Sequence, residues 1–121
     1  MRKPRAGKPP AAKRIALACA AAAEDKKAGG IVVMDMRKVS TIADYFVICD
    51  GTSDRHVKAI AEGVIKGVED AGARCYHSEG WGDASWVVLD FADVIAHVFL
   101  RETRDRYQIE RLWGDAKTVK R

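Results

Sequence analysis

Two apolar runs near the C-terminal end, Trp86 to Phe91 and Val94 to Leu100, are rich in β-branched and aromatic residues and are separated by Ala92-Asp93, the pattern of a β-hairpin. With Ala92 and Asp93 as the loop, Phe91 pairs with Val94, Asp90 lies opposite Ile95, Val88 opposite His97 and Trp86 opposite Phe99. Those last three pairs share one face. The other face carries Val87, Leu89, Phe91, Val94, Ala96 and Val98, has no polar side chain and suits a core. A three-residue loop would shift this register. The first face is chemically mixed, and two arrangements satisfy it: a recognition surface, or a cover formed by the segment after Leu100 with Asp90 and His97 pairing internally.

The rest of the chain frames that hairpin. The alanine-rich stretch from about Ala11 to Ala28 reads as a helix stopped by Gly29-Gly30. Ile31 to Met36, apolar at nearly every position, reads as a strand covered on both faces, and Tyr45 to Cys49 as a second. Thr52 and Ser53 are N-cap residues, Asp54 favours the helix dipole, and Val57, Ile60, Ala61, Val64 and Val68 mark the buried face of a helix closed by Gly72. Arg74 to His77 reads as a polar edge strand and Ser78 to Ala84 as a loop around Trp81. Tyr107, Ile109, Leu112 and Trp113 are the apolar positions of a short terminal helix. This order predicts an α/β (α+β) fold, a mixed sheet of about five strands packed with helices.

Composition adds limits. The 121 residues make one domain with 48% hydrophobic and 31% charged residues. No run is long enough to span a bilayer, so no membrane partner is expected. The net charge of +4 is unevenly placed: residues 1–14 hold six cationic side chains and no acid, and the last five residues hold three more. Residues 15–116 are left with 12 basic against 17 acidic side chains, a net of −5. A negative body grips phosphates poorly, so no direct sequence-specific nucleic-acid binding is expected and the favoured partner is basic, such as a ribosomal protein. Residues 1–14, with three prolines, read as a disordered basic tail ahead of one domain over 15–119.

The charged start followed by the apolar run Ile15 to Ala23 has the ingredients of a secretory signal. The run is short, mostly alanine, and continues into Glu24-Asp25-Lys26-Lys27, which favours a helix instead. Cys19, Cys49 and Cys75 form no CxxC pair and read as small buried hydrophobes in a reducing cytoplasm. No Cys/His set has metal-ligand spacing, so neither metal nor cofactor is expected.

Several segments, taken together and in order, are specific where each alone is weak: Asp44 to Ile48, Gly51-Thr-Ser53, Arg55-His-Val57, Trp86 to Asp90, Asp93 to Val98, Glu102-Thr-Arg104, and Tyr107 through Arg111 to Asp115. On these the chain resembles the ribosomal silencing factor family, also called iojap. The resemblance implies a nucleotidyltransferase-like sheet fold with no enzymatic role. It implies binding to the large ribosomal subunit through its L-fourteen protein, which blocks joining of the small subunit and lowers translation. In organelles, related proteins serve large-subunit assembly. Carried over by position, the partner-binding face comprises Trp86, Asp90, Asp93, His97, Phe99 and Tyr107, extended by Leu112 and Trp113. Trp86, Phe99 and Tyr107 would be apolar anchors, and Asp90 and Asp93 would meet Lys or Arg. Asp93 also suits a turn for its own sake, and Trp113 also suits a core. Exposed aromatics of this kind would let the free protein form a homodimer.

A metal-dependent nucleotidyltransferase is the competing class. Gly51-Thr52-Ser53 opens a helix that could receive phosphate, and Asp90 with Asp93 could be read as magnesium ligands. The i, i+3 spacing disfavours a shared metal on strands, and Asp44, Asp50 and Asp54 disfavour a triphosphate.

Overall fold

The computed structural model describes residues 9–121. Helix α1 (Pro9–Asp25) buries Ala12, Ile15, Ala16, Cys19, Ala20 and Ala23, a face repeating at steps of three and one, with only Ile15 bulky. Its start corrects the expected tail: residues 9–14 lie in the helix, whose first turn tolerates proline because the amide missing there has no intrahelical acceptor. The rest of the tail, residues 1–8, lies outside the described residues. The helix ends three residues earlier than expected, at Asp25, and Lys27 takes a left-handed φ of 62° just after it.

Strand β1 (Gly29–Asp35) runs antiparallel to β2 (Tyr45–Gly51), which is buried at every position. Helix α2 (Asp54–Asp70) follows, with Ser53 as N-cap accepting from the His56 amide, and its buried residues are Val57, Ile60, Ala61, Val64 and Val68, the face the spacing predicts. β3 (His77–Glu79) comes later than the expected Arg74–His77. It pairs antiparallel with β4 (Trp86–Asp90), matching His77 to Asp90 and Glu79 to Val88. The intervening turn needs Gly80, whose φ is 92° and whose Cβ would collide with the Trp86 carbonyl oxygen.

β5 (Val94–Leu100) returns antiparallel to β4 in the register read from the sequence, Trp86 with Phe99, Val88 with His97 and Asp90 with Ile95. The Phe91 amide donates to the Val94 carbonyl at 2.9 Å, closing the two-residue loop. β5 then lies parallel to β2. Helices α3 (Arg101–Tyr107) and α4 (Ile109–Leu112) follow, separated by Gln108 in a left-handed conformation, and β6 (Lys117–Thr118) pairs with β1.

Among the described residues the sheet has six strands in the order β3-β4-β5-β2-β1-β6, one more than the five expected, because a two-residue strand leaves no periodic signal. α1 and α2 pack side by side over one face and enclose the main core with Val33, Val47, Val87, Leu89, Phe91, Val94, Ala96 and Val98. A smaller cluster on the opposite face joins Met34, Met36, Ala43, Phe46, Ile48 and Phe99 to Ile109. Cys19 and Cys49 are buried free thiols, and desolvation pushes Cys49 up to about 12, so both behave as small apolar residues.

Candidate functional site

Strand alternation places Phe46 and Ile48 of β2, Ile95, His97 and Phe99 of β5, and Trp86, Val88 and Asp90 of β4 on the sheet face away from α1 and α2. Six rings run across it, five from β2, β4, β5 and α3 and the sixth, Trp113, just past α4. Tyr107, at the end of α3, lies 5.6 Å from the Trp86 ring, and Trp86 lies 4.8 Å from Phe99. The Trp86 indole nitrogen donates to His97 Nδ1 at 3.2 Å. His97 sits 4.7 Å from Phe46 in an edge contact, and Phe46 meets Trp113 edge-on at 6.0 Å. Centroid separations of this size are those of favourable ring pairs.

Burial sorts the expected site residues into two layers. Tyr107 is 54% exposed and Leu112 is 73% exposed, while Trp86, Asp90, Asp93 and Trp113 are half-buried. These six reach the surface. Phe99 is fully buried and His97 is 8% exposed, so both lie in the floor on which the outer layer rests and not at the surface where the sequence reading set them. The physical reason is the chain after Leu100: Ile109 and Trp113 fold back onto the cluster around Phe46 and Phe99, while Trp86 leans over Phe99 from β4. The two arrangements allowed by the sequence are thus combined, with a partial cover whose outer side sets Tyr107 and Leu112 among the exposed charges of Arg101, Glu102, Asp105, Arg106 and Arg111. The anticipated Asp90–His97 pairing does not form. Asp90 Oδ1 accepts from the Ala92 amide at 2.7 Å, an ordinary turn bond, and His97 serves Trp86.

Desolvation alone lowers His97 to a pKa of about 4, so the imidazole is neutral near neutrality. Because Nδ1 accepts the indole proton, Nε2 carries the ring hydrogen. Nε2 is screened from solvent and has no hydrogen-bond partner. The floor of the site is therefore apolar and uncharged, and Asp90 and Asp93 place carboxylates at its hairpin end. There the Asp93 carbonyl also receives the Asp44 amide at 2.8 Å, tying the hairpin loop to the segment that carries Ile42, an apolar side chain 64% exposed.

The α3–α4 segment is held by a polar network absent from the sequence reading. Arg104 Nη1 donates to Asp50 Oδ2 at 2.9 Å, and Arg104 Nε and Nη2 both reach Glu110 Oε2 at 2.9 Å. Arg101 Nε adds a 3.2 Å bond to Asp50 Oδ1. The Asp50 and Arg104 side chains are 9% and 11% exposed, so this is a buried pair anchoring the cover to the end of β2. Phe46 was also missed as part of the site. Its signal was present, since alternation within Tyr45–Cys49 puts Phe46 and Ile48 on one face.

The features that suggested phosphate chemistry are committed elsewhere. The Thr52 amide donates to His56 Nδ1 at 3.0 Å and Ser53 Oγ takes the His56 amide, so these groups at the start of α2 are internally paired. Gly51 is close-packed, and a Cβ there would lie 3.1 Å from Val57 and Ile60 side-chain atoms. Among the described residues, no three His, Cys, Asp or Glu side chains cluster as a metal site would require.

A family profile described as "Ribosomal silencing factor during starvation" matches residues 9–121. Ribosomal silencing factor RsfS of Bacillus subtilis is 43% identical over 104 residues, covering 86% of this chain and 88% of that protein. The Halalkalibacterium halodurans protein of the same name is 44% identical over 98 residues, covering 81% and 84%. The mouse protein named mitochondrial assembly of ribosomal large subunit protein 1 is 33% identical over 91 residues, 73% of this chain and 40% of its own length. Among solved structures, a Chromobacterium violaceum protein superposes with a TM-score of 0.82 at 36% identity, covering 85% of this chain and 86% of its own.

Proposed function

This chain belongs to the ribosomal silencing factor family, and we propose that it represses translation without catalysis, by docking on the large ribosomal subunit through protein L-fourteen and obstructing the small subunit. The observation that carries this reading is the two-layered sheet face. Its outer layer presents Trp86 beside Tyr107, with Trp113 packed on the same cluster and Leu112 exposed on α4, and Asp90 and Asp93 lie at the hairpin end, the composition of an interface core with a charged rim. Buried aromatics dominate interface energies, and the acidic rim suits a basic ribosomal protein. The same group would let two free copies pair through this face, and such a dimer would compete with ribosome binding.

The test is co-sedimentation with purified large subunits. Tyr107→Ala and Leu112→Asp alter exposed side chains and should leave urea unfolding nearly unchanged while each weakens binding about tenfold or more, the range of an interface anchor. Trp86→Ala should reduce it further, at some expense in stability because Trp86 also covers Phe99. Retention of wild-type co-sedimentation by all three variants would reject this face. Raising salt should weaken binding in proportion to the role of Asp90 and Asp93, and salt-independent affinity would remove the electrostatic part.

A further inference from the structure

His97 is poorly suited to the place it occupies. A neutral imidazole 8% exposed, with Nε2 unpartnered, lies between the aromatic rings of Phe46, Trp86 and Phe99. A buried donor left unsatisfied lowers stability, and an apolar side chain of similar size would serve the floor better. The one hydrogen bond the ring does make points outward, to the Trp86 indole.

The indole needs such a tether. Trp86 stands half-exposed between Phe99 below and Tyr107 beside it, and both neighbours contact it only through ring surfaces. Ring contacts of this kind are favourable in several offset and tilted geometries, so they do not by themselves select one edge of the indole. A bond at 3.2 Å to a ring fixed in the floor sets which edge of the indole faces outward. We propose that His97 is the positioning residue of the partner-binding face, holding the Trp86 indole in the orientation that the partner meets. This deepens the docking reading above and rests on it.

His97→Leu removes the acceptor and keeps the apolar bulk, whereas His97→Asn offers a side-chain oxygen near the position of Nδ1. Three measurements on the full chain separate the outcomes: urea unfolding, solvent exchange of the indole protons in a nitrogen-15 correlation spectrum, and co-sedimentation with large subunits. The Trp86 signal is assigned by its absence in Trp86→Phe. In the wild type its proton should exchange slowly. In His97→Leu the unfolding midpoint should stay the same or rise, the Trp86 indole proton should exchange at least severalfold faster, and large-subunit binding should weaken about tenfold, the loss of one well-placed hydrogen bond. His97→Asn should recover most of the binding and of the protection.

Wild-type binding by His97→Leu, with Trp86→Ala inactive, would overturn the positioning role and leave the face standing. Wild-type binding by Trp86→Ala would overturn the positioning role, and if Tyr107→Ala and Leu112→Asp also bound as wild type the face would be rejected with it. A His97→Leu variant that loses stability in step with binding, and that Asn does not rescue, would make His97 a packing residue and overturn the proposal as well.

Discussion

Removing Arg104 from its buried network should be among the most damaging single changes in the domain. In Arg104→Met the Asp50 carboxylate, 9% exposed, keeps only Arg101, whose side chain is 52% exposed and whose bond is 3.2 Å. Glu110 Oε2 loses both bonds from Arg104, and its Oε1 is already screened without a partner. Breaking a buried pair by removing one partner costs about 3–5 kcal/mol, because the other charge remains desolvated. The residual Arg101 contact should reduce this to roughly 2–4 kcal/mol, a large share of the ~5–15 kcal/mol that holds a domain together. Followed by circular dichroism in urea, that loss corresponds to a midpoint lower by about 2 M for a slope near ~1.5 kcal/mol/M. Adding Asp50→Asn to Arg104→Met should destabilise by less than the sum of the two single changes, since the second removes the charge that the first stranded. A single variant within about 0.5 kcal/mol of wild type, or strict additivity in the double variant, would show that the network is solvent-relaxed and does not anchor α3 and α4.

Two further outcomes follow from local geometry. His97 has an ordinary value of 6.5 and a folded value of about 4, so between these pH values the unfolded chain binds the extra proton. Stability should therefore be complete above pH 6.5 and fall by up to about 3 kcal/mol as pH drops toward 4. His97→Leu should lack that component, and parallel pH–stability curves for the two proteins would refute it. Ala92 holds a φ of 75° in the hairpin loop, a conformation unfavourable to any side chain, so Ala92→Gly should raise stability by roughly 0.5–1 kcal/mol. An unchanged or lower melting temperature would show that the loop is not strained.

Reading the chain by period succeeded where one side chain per repeat decides the outcome. The five buried residues of α2 and the three cross-strand pairs of the hairpin follow from spacings of 3.6 and 2, because every position in those segments carries the same signal. The β3 strand was displaced because Arg74 to His77 and Ser78-Glu79 are equally polar at a sheet edge, and pairing with Val88 and Asp90 settles the position, not propensity. The start of α1 was obscured by charge and proline, which raise the expectation of a disordered tail even where a helix accepts both. The Asp50–Arg104–Glu110 network had no signature at all. Asp50 beside Gly51 looks like turn chemistry, and its partner lies 54 positions away.

The most consequential gap lay between knowing which residues share a face and knowing what covers it. Alternation placed Trp86, His97 and Phe99 together, but their depths depend on Ile109 and Trp113, whose return is set by the left-handed Gln108 and by Arg104 bridging Asp50 and Glu110. That cover does two opposing things. It shelters Phe46 and Phe99, which would otherwise widen the apolar patch, and it adds Tyr107 and Leu112 to the exposed layer. A naked β4–β5 face would expose His97 and let its imidazole protonate, whereas a complete cover would bury Trp86. The half-closed arrangement keeps a neutral acceptor beneath a half-exposed indole, so the buried ions that fix α3 and α4 determine the shape of the surface a partner would meet.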